Sequence, residues 1–130
     1  MPYKIIYSEN PNGVTTFFSG VLTDKEIIQS CEERTSSEEK MRNFQFIKDD
    51  LLDVTEFRVT PEAIKICASY ALKVSELNIK IVHTAIVPTD LIYGMTRMWD
   101  VYSDGTDWNK NIFRNREEAE IWIKDNINEI

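Results

Sequence analysis

The sequence predicts an α/β domain in which helices cover a mixed five-stranded sheet. The segment 79–87, IKIVHTAIV, is apolar on both alternating faces apart from three positions. Such a run is typical of a strand with helices above and below it. Strand and helix patterns alternate after residue 20, which favours parallel pairing with right-handed crossovers. The Asn-Pro-Asn-Gly turn at 10–13 joins the first two strands as an antiparallel hairpin. The predicted order is ββαβαβαβα, in a single domain over 1–130.

The first half of the chain supplies the hairpin, one helix and a third strand. Strands are expected at 3–7, 14–19 and 43–50, where β-branched and aromatic residues are frequent. The segment from Thr23 to Glu26 has the form of a capping box, which predicts a helix running to about Arg34. The polar segment 35–42 is expected to be a loop or a frayed turn, and the acidic segment 50–59 a connecting loop.

The second half adds two helices around the central strand and a final strand–helix unit. Thr60 and Pro61 open one helix as N-cap and first-turn proline, and Asn78 ends it. Thr89 caps the next helix, whose apolar residues recur at helical spacing at Leu91, Met95, Met98, Trp99 and Tyr102, with Ile92 beside them. A short strand is expected at 110–114. The buried face of the last helix is expected at Ala119, Trp122, Ile123, Ile127 and Ile130.

Charge and composition exclude several classes of partner. The formal charge is −7 and the pI about 4.7, so nucleic acid and anionic membranes are not expected to bind. No apolar run approaches the roughly 20 residues of a membrane span, and the N-terminus does not resemble a signal peptide. Cys31 and Cys67 are expected to be free thiols in a reducing compartment, which predicts a cytoplasmic protein.

Chemically active residues are few. One histidine and two cysteines do not suggest zinc, and the four separated glycines form no phosphate loop. His83 is either a hydrogen-bonded core residue or a general base. Asp49, Asp50, Asp53 and Glu56 follow the third strand, where they form either a solvated acidic loop or a magnesium site. No cofactor and no metal is expected.

One helix stripe has two interpretations. Met95, Met98, Trp99 and Tyr102 either pack in the core or line a pocket for a small apolar ligand.

Three segments resemble a known family. Residues 50–55, DLLDVT, are similar to a D-L-S-x-V segment that leads out of a third strand. Residues 86–98 are similar to an apolar strand and polar turn followed by L-x-x-G-x-x-R-M, and residues 112–123 to a closing F-R-x-x-E-E-A-x-x-W-L. These patterns resemble the STAS fold of anti-sigma-factor antagonists and, more closely, its SpoIIAA-like relatives, which share a superfamily with Sec14/CRAL-TRIO lipid carriers.

The resemblance implies a non-enzymatic regulatory or protein-interaction domain. The family's antagonists are switched by phosphorylation of a serine in D-S-x-G. Here that serine is replaced by Val59 and the glycine by Pro61. The nearest hydroxyl belongs to Thr60, which is a candidate phosphosite or simply the helix cap. The interaction surface is expected in the 53–60 loop, at Asp53, Thr55, Arg58 and Thr60.

Three functions follow from these observations. The leading one is a regulatory domain that binds a protein partner or associates with itself through a free sheet edge, at the opening hairpin or at 110–114. The alternative is a carrier of a small apolar ligand or lipid. The least favoured is an enzyme that uses His83 or the acidic loop.

Overall fold

The computed structural model describes residues 2–127, and it contains five strands and five helices. The strands are β1 (Tyr3–Ser8), β2 (Gly13–Thr23), β3 (Phe46–Arg58), β4 (Val82–Ile86) and β5 (Asn109–Phe113). The helices are α1 (Asp24–Arg34), α2 (Glu38–Asn43), α3 (Pro61–Leu77), α4 (Asp90–Tyr102) and α5 (Arg116–Ile127), with a 3-10 turn at Asp104–Thr106.

The strands form one mixed sheet in the order β1-β2-β3-β4-β5. β1 pairs with β2 antiparallel, and the other three pairs are parallel. All five residues of β4 are buried. The predicted α/β class, mixed sheet and central strand are therefore confirmed.

The two faces of the sheet are covered unequally. α1, α3 and α4 pack on one face, with α2 at its edge, and enclose the main apolar core. α5 packs on the other face, where Ile123 and Ile127 contact Phe46 and Val82. Ile130, expected on the same buried face of α5, lies outside the described residues. Within 2–127, none of the helices combines the length and the apolarity that crossing a membrane requires.

The segment 35–42, expected to be a loop or a frayed turn, contains most of α2. The Ser37 side chain caps this short helix by accepting a hydrogen bond from the backbone N–H of Lys40 at 3.2 Å. The sequence did not predict α2, because none of its residues is buried and its polar composition resembles that of a loop.

The predicted end of the third strand is wrong. β3 continues to Arg58 and pairs with β2 as far as Thr23, across an irregularity at Gly20, whose φ is +68°. β4 pairs with β3 only as far as Asp50 and Ile86. Residues 51–58 of β3 and the end of β2 therefore form a two-stranded ribbon that extends beyond the central strand. The expected loop does not exist, and Asp53, Thr55 and Arg58 lie on this ribbon.

The face that α4 buries also differs from the predicted stripe. Ile92 and Trp99 are buried, whereas Leu91 is 66% exposed and Tyr102 39% exposed. Met95 and Met98 are half-buried and lie between the buried and the exposed residues of the helix. Apolar residues surround more than one side of this helix, so periodicity alone did not identify the side that meets the sheet.

Candidate functional site

A small pocket lies between the sheet and the three helices α1, α3 and α4. Its volume is about 60 Å³. Most of its wall is apolar, formed by Phe18, Ile27, Leu51, Phe57, Ile64 and Met95. β3 contributes Asp49, Leu51 and Phe57 to the pocket, and β4 contributes His83 and Ala85. Met95 and Trp99 line this pocket, whereas Met98 and Tyr102 do not.

A buried ion pair forms the polar part of the pocket. Arg34 is the last residue of α1, and its Nη1 donates to Oδ1 of Asp49 on β3. Only 7% of the arginine side chain and 14% of the aspartate side chain are exposed. Burial raises the pKa of Asp49, but Arg34 and then His83 outweigh it and bring that pKa to about 2. The carboxyl group is therefore charged at neutral pH.

His83 completes this polar cluster from β4. Its Nε2 lies 2.9 Å from Asp49 Oδ2, and the ring is 3% exposed. An ionised carboxylate only accepts hydrogen bonds, so Nε2 carries a proton. The imidazole stacks on Trp99 with 4.4 Å between ring centroids. In this structure His83 is a hydrogen-bonded core residue, which is one of the two interpretations of the sequence.

Cys31 of α1 and Cys67 of α3 line the same pocket as free, buried thiols. The Cys67 thiol donates to the carbonyl of Ile27 at 3.7 Å. The neighbouring Cys67 thiol lowers the pKa of Cys31, and the Arg34 guanidinium acts in the same direction against burial. The neighbouring Cys31 thiol and burial raise the pKa of Cys67. The two thiols are therefore not equivalent, and Cys31 ionises first.

The acidic residues expected to form a cluster are dispersed. Successive residues of a strand point to opposite faces, so Asp49 enters the pocket while Asp50 faces α5. There Arg116 donates its Nε to Asp50 at 2.6 Å and its Nη2 to Asp53 at 3.4 Å. Glu56 pairs with Arg58 at the surface. Within 2–127, no three His, Cys, Asp or Glu side chains are arranged to hold a metal ion.

Thr60 links two helices. Its hydroxyl accepts from the N–H of Ala63 at 3.3 Å, as the cap of α3. Its own N–H and hydroxyl each donate to Asp24, at the start of α1, at 2.7 Å. A phosphate on this hydroxyl would lie against the Asp24 carboxylate, and like-charge repulsion disfavours that arrangement. The cap function predicted for Thr60 is present.

Replacing Thr60 by Ala is expected to lower the free energy of unfolding by about 1 kcal/mol, because the cap and the link to Asp24 are both lost. Urea unfolding followed by far-UV circular dichroism measures the difference. Thr60→Ser keeps the hydroxyl and should retain most of the stability. Equal losses in the two variants would show that the hydroxyl does not act as the cap.

A larger groove lies on the other face of the sheet. Its volume is about 360 Å³, and Ile6, Phe17, Phe46 and Ile123 provide apolar lining. Lys48 and Glu120, which form an ion pair, both line it. No pattern in the sequence indicated this groove, because its lining comes from β1, β2, β3 and α5 together.

Comparison with known proteins supports the fold. The chain matches no protein-family profile and no curated protein. It is similar to the crystal structure of an uncharacterised protein of the DUF3478 family from Shewanella loihica PV-4, described as having a SpoIIAA-like fold. The TM-score is 0.57, the sequence identity is 15%, and the match covers 93% of this chain and 91% of the other. The chain therefore has a SpoIIAA-like fold, as its sequence motifs predicted.

Proposed function

We propose that the chain is a non-enzymatic regulatory or protein-interaction domain that acts as a homodimer joined through α4. The observation that supports this most directly is the apolar solvent-facing side of that helix. Leu91 is 66% exposed, Val101 71% and Tyr102 39%. Single exposed apolar residues are ordinary, but several on one helix face are typical of a contact surface.

The spacing of these residues suits packing against another helix. Leu91, Gly94, Met98 and Val101 are separated by three, four and three positions, which places them in one seam. Gly94 costs about 1 kcal/mol relative to Ala inside a helix. A Cβ added there would meet nothing within 4 Å. No contact within the described chain uses this glycine, whereas a second helix crossing at Gly94 would approach its backbone closely.

The charges beside the seam favour a second copy as the occupant. Asp90 and Arg97 lie on the same flank of the helix, four residues before and three residues after Gly94. When two copies cross antiparallel at Gly94, Asp90 of each copy comes beside Arg97 of the other, which gives two equivalent ion pairs around a twofold axis. Arg97 is exposed and forms no ion pair within residues 2–127, and Asp90 uses one oxygen to bind Arg114 at 2.9 Å.

The arrangement of the pocket supports the non-enzymatic part of the proposal. Each oxygen of Asp49 accepts a hydrogen bond, one from Arg34 and one from His83. The His83 ring is covered by Trp99. These polar groups satisfy one another, as expected of a cluster that holds elements together. We place the domain in a reducing compartment such as the cytoplasm, because both of its cysteines are free and buried.

Sedimentation equilibrium tests the proposal. Wild-type protein should dimerise with increasing concentration, and Val101→Glu should be monomeric at the same concentrations because a carboxylate would enter the apolar seam. Ile79→Glu is the matched control, since Ile79 is 68% exposed but lies just before β4. Circular dichroism should show that both variants keep the fold.

A charge exchange tests the orientation of the two copies. Arg97→Asp should weaken the dimer, because it places a second acidic group beside Asp90 of the other copy at each of the two contacts. Adding Asp90→Arg in the same chain should restore dimerisation, because both ion pairs reform with reversed sign. A wild-type chain that is monomeric at every concentration, or a Val101→Glu variant that still dimerises, would refute the α4 interface.

A second candidate function is a carrier of a small apolar ligand. The apolar wall of the pocket favours it, while a volume of about 60 Å³ restricts the ligand to a few heavy atoms, well below the roughly 300 Å³ of ordinary ligand sites. Native mass spectrometry of freshly purified protein should show an added mass that disappears on denaturation. A single mass equal to that of the bare chain would contradict this function.

A further inference from the structure

We propose that Cys31 and Cys67 form a peroxide-sensitive dithiol, in which hydrogen peroxide converts the two free thiols into a disulfide that joins α1 to α3. The two residues are the only cysteines of the chain. They belong to different helices and line one pocket. This site is independent of the α4 interface, because neither cysteine lies on that helix.

The geometry places the Cys67 sulfur beside the turn of α1 that carries Cys31. The Cys67 sulfur lies 3.7 Å from the carbonyl oxygen of Ile27. In an α-helix that carbonyl accepts the hydrogen bond from the backbone N–H four residues later, which is the N–H of Cys31. Cys67 therefore reaches across from α3 to the turn of α1 that carries Cys31. The sequence separation of 36 positions hides this proximity, which exists only because α1 and α3 pack side by side.

The surroundings give one thiol the character of a nucleophile. The guanidinium of Arg34, three residues after Cys31, is buried beside the pair and favours a thiolate. The neighbouring Cys67 thiol acts in the same direction and lowers the pKa of Cys31. Both cysteines are at most 4% exposed. A bulky reagent therefore has poor access, whereas the pocket of about 60 Å³ has room for a molecule as small as hydrogen peroxide.

The reaction balances with peroxide as the oxidant. The Cys31 thiolate attacks one peroxide oxygen and the O–O bond breaks, which gives a sulfenic acid on Cys31 and a hydroxide ion. The hydroxide takes the proton from the Cys67 thiol and leaves as water. The Cys67 sulfur then attacks the Cys31 sulfur, the S–S bond forms, and the S–O bond breaks to release hydroxide, which is protonated to water. Overall, two thiols lose two electrons and two protons, and one peroxide becomes two waters.

Thiol counting and peptide mapping of the wild-type chain test the proposal. Reduced protein should show two thiols per chain after denaturation, and none after treatment with hydrogen peroxide. The digest without reductant should contain one linked pair of peptides, carrying Cys31 and Cys67, and the protein should remain un-crosslinked between chains. Dithiothreitol should restore both thiols. This measurement needs no variant and therefore does not depend on how a substitution affects folding.

Two matched variants test the order of the steps. In Cys67→Ser, dimedone should trap a sulfenic acid on Cys31 after peroxide treatment, because no second thiol resolves it. Cys31→Ser should give markedly less dimedone adduct, because the remaining thiol is the less acidic of the pair. The proposal is overturned if both thiols of the wild-type chain survive peroxide that fully oxidises glutathione in the same tube, or if the only disulfides formed lie between chains.

Discussion

Replacing Asp49 by Asn is expected to lower the free energy of unfolding by about 3–5 kcal/mol, because the guanidinium of Arg34 stays buried without its counter-charge. The substitution nearly conserves volume, so the effect reports the charge rather than a cavity. Arg34 is 6% exposed and cannot reach water without moving the end of α1. Urea unfolding followed by far-UV circular dichroism measures the loss.

Asp53→Asn is the control for this prediction. Asp53 lies on the same strand but is exposed, and its contact with Arg116 is 3.4 Å long. Surface ion pairs contribute little, so this change should alter stability by less than about 1 kcal/mol. If Asp49→Asn lowered the free energy of unfolding no more than Asp53→Asn, the ion pair of Arg34 and Asp49 would not contribute substantially to stability.

The same pair predicts how stability depends on pH. The pKa of Asp49 is lowered in the folded chain, from an ordinary 3.8 to about 2. Its stabilising contribution is therefore complete above about pH 4 and is lost as the pH falls through 2. This linkage corresponds to about 2 kcal/mol. The stability difference between wild type and Asp49→Asn should narrow by about that amount between pH 5 and pH 2. A constant difference would mean that Asp49 is not the titrating group.

Replacing Trp99 by Ala is expected to cost about 3–5 kcal/mol, because it removes a large buried side chain and opens a cavity beside His83. The ring stacks on the imidazole, and the Lys110 ammonium lies 5.3 Å from the ring centroid. Both contacts would be lost together with the buried apolar area. Circular dichroism is the suitable probe, because the substitution also removes a fluorophore.

Tyr93→Ala is the control on the same helix. Tyr93 is 38% exposed and lies outside the seam proposed for dimerisation, so its removal should cost less than about 1 kcal/mol. A loss for Trp99→Ala no larger than for Tyr93→Ala would show that α4 is not anchored to the sheet at this point.

The sequence predicted those features whose causes are local. The central strand was recognisable because its apolar run is continuous, and α3 because Thr60 and Pro61 mark its start. The extension of β3 to Arg58 was missed because it depends on pairing with β2, more than 30 residues earlier. Exposed polar residues on that extension resemble a loop when they are considered without their partner strand.

The candidate site was only partly predictable. His83, Asp49, Met95 and Trp99 were singled out for separate reasons, and the structure brings all four to one pocket. Arg34 was missed, because an arginine in the last turn of a helix is ordinarily a solvated group that favours the helix dipole. Its pairing with Asp49 is a tertiary contact between two elements, and no periodicity or spacing in the sequence encodes it.

The ribbon beyond the central strand has a consequence for how the fold opens. From Leu51 to Arg58, β3 has a hydrogen-bonded neighbour on its β2 side only. Leu51 and Val54 of this ribbon are buried in the main core. At its exposed end, near Glu56 and Arg58, the two strands can separate at a lower free energy than the five-stranded part, because no second ladder has to break. Amide protons there should exchange with solvent through local fraying, whereas amide protons of β4 should exchange only through global unfolding. The exposed end of the ribbon, near Glu56 and Arg58, is accordingly the part of β3 where inserted residues would disturb the core least.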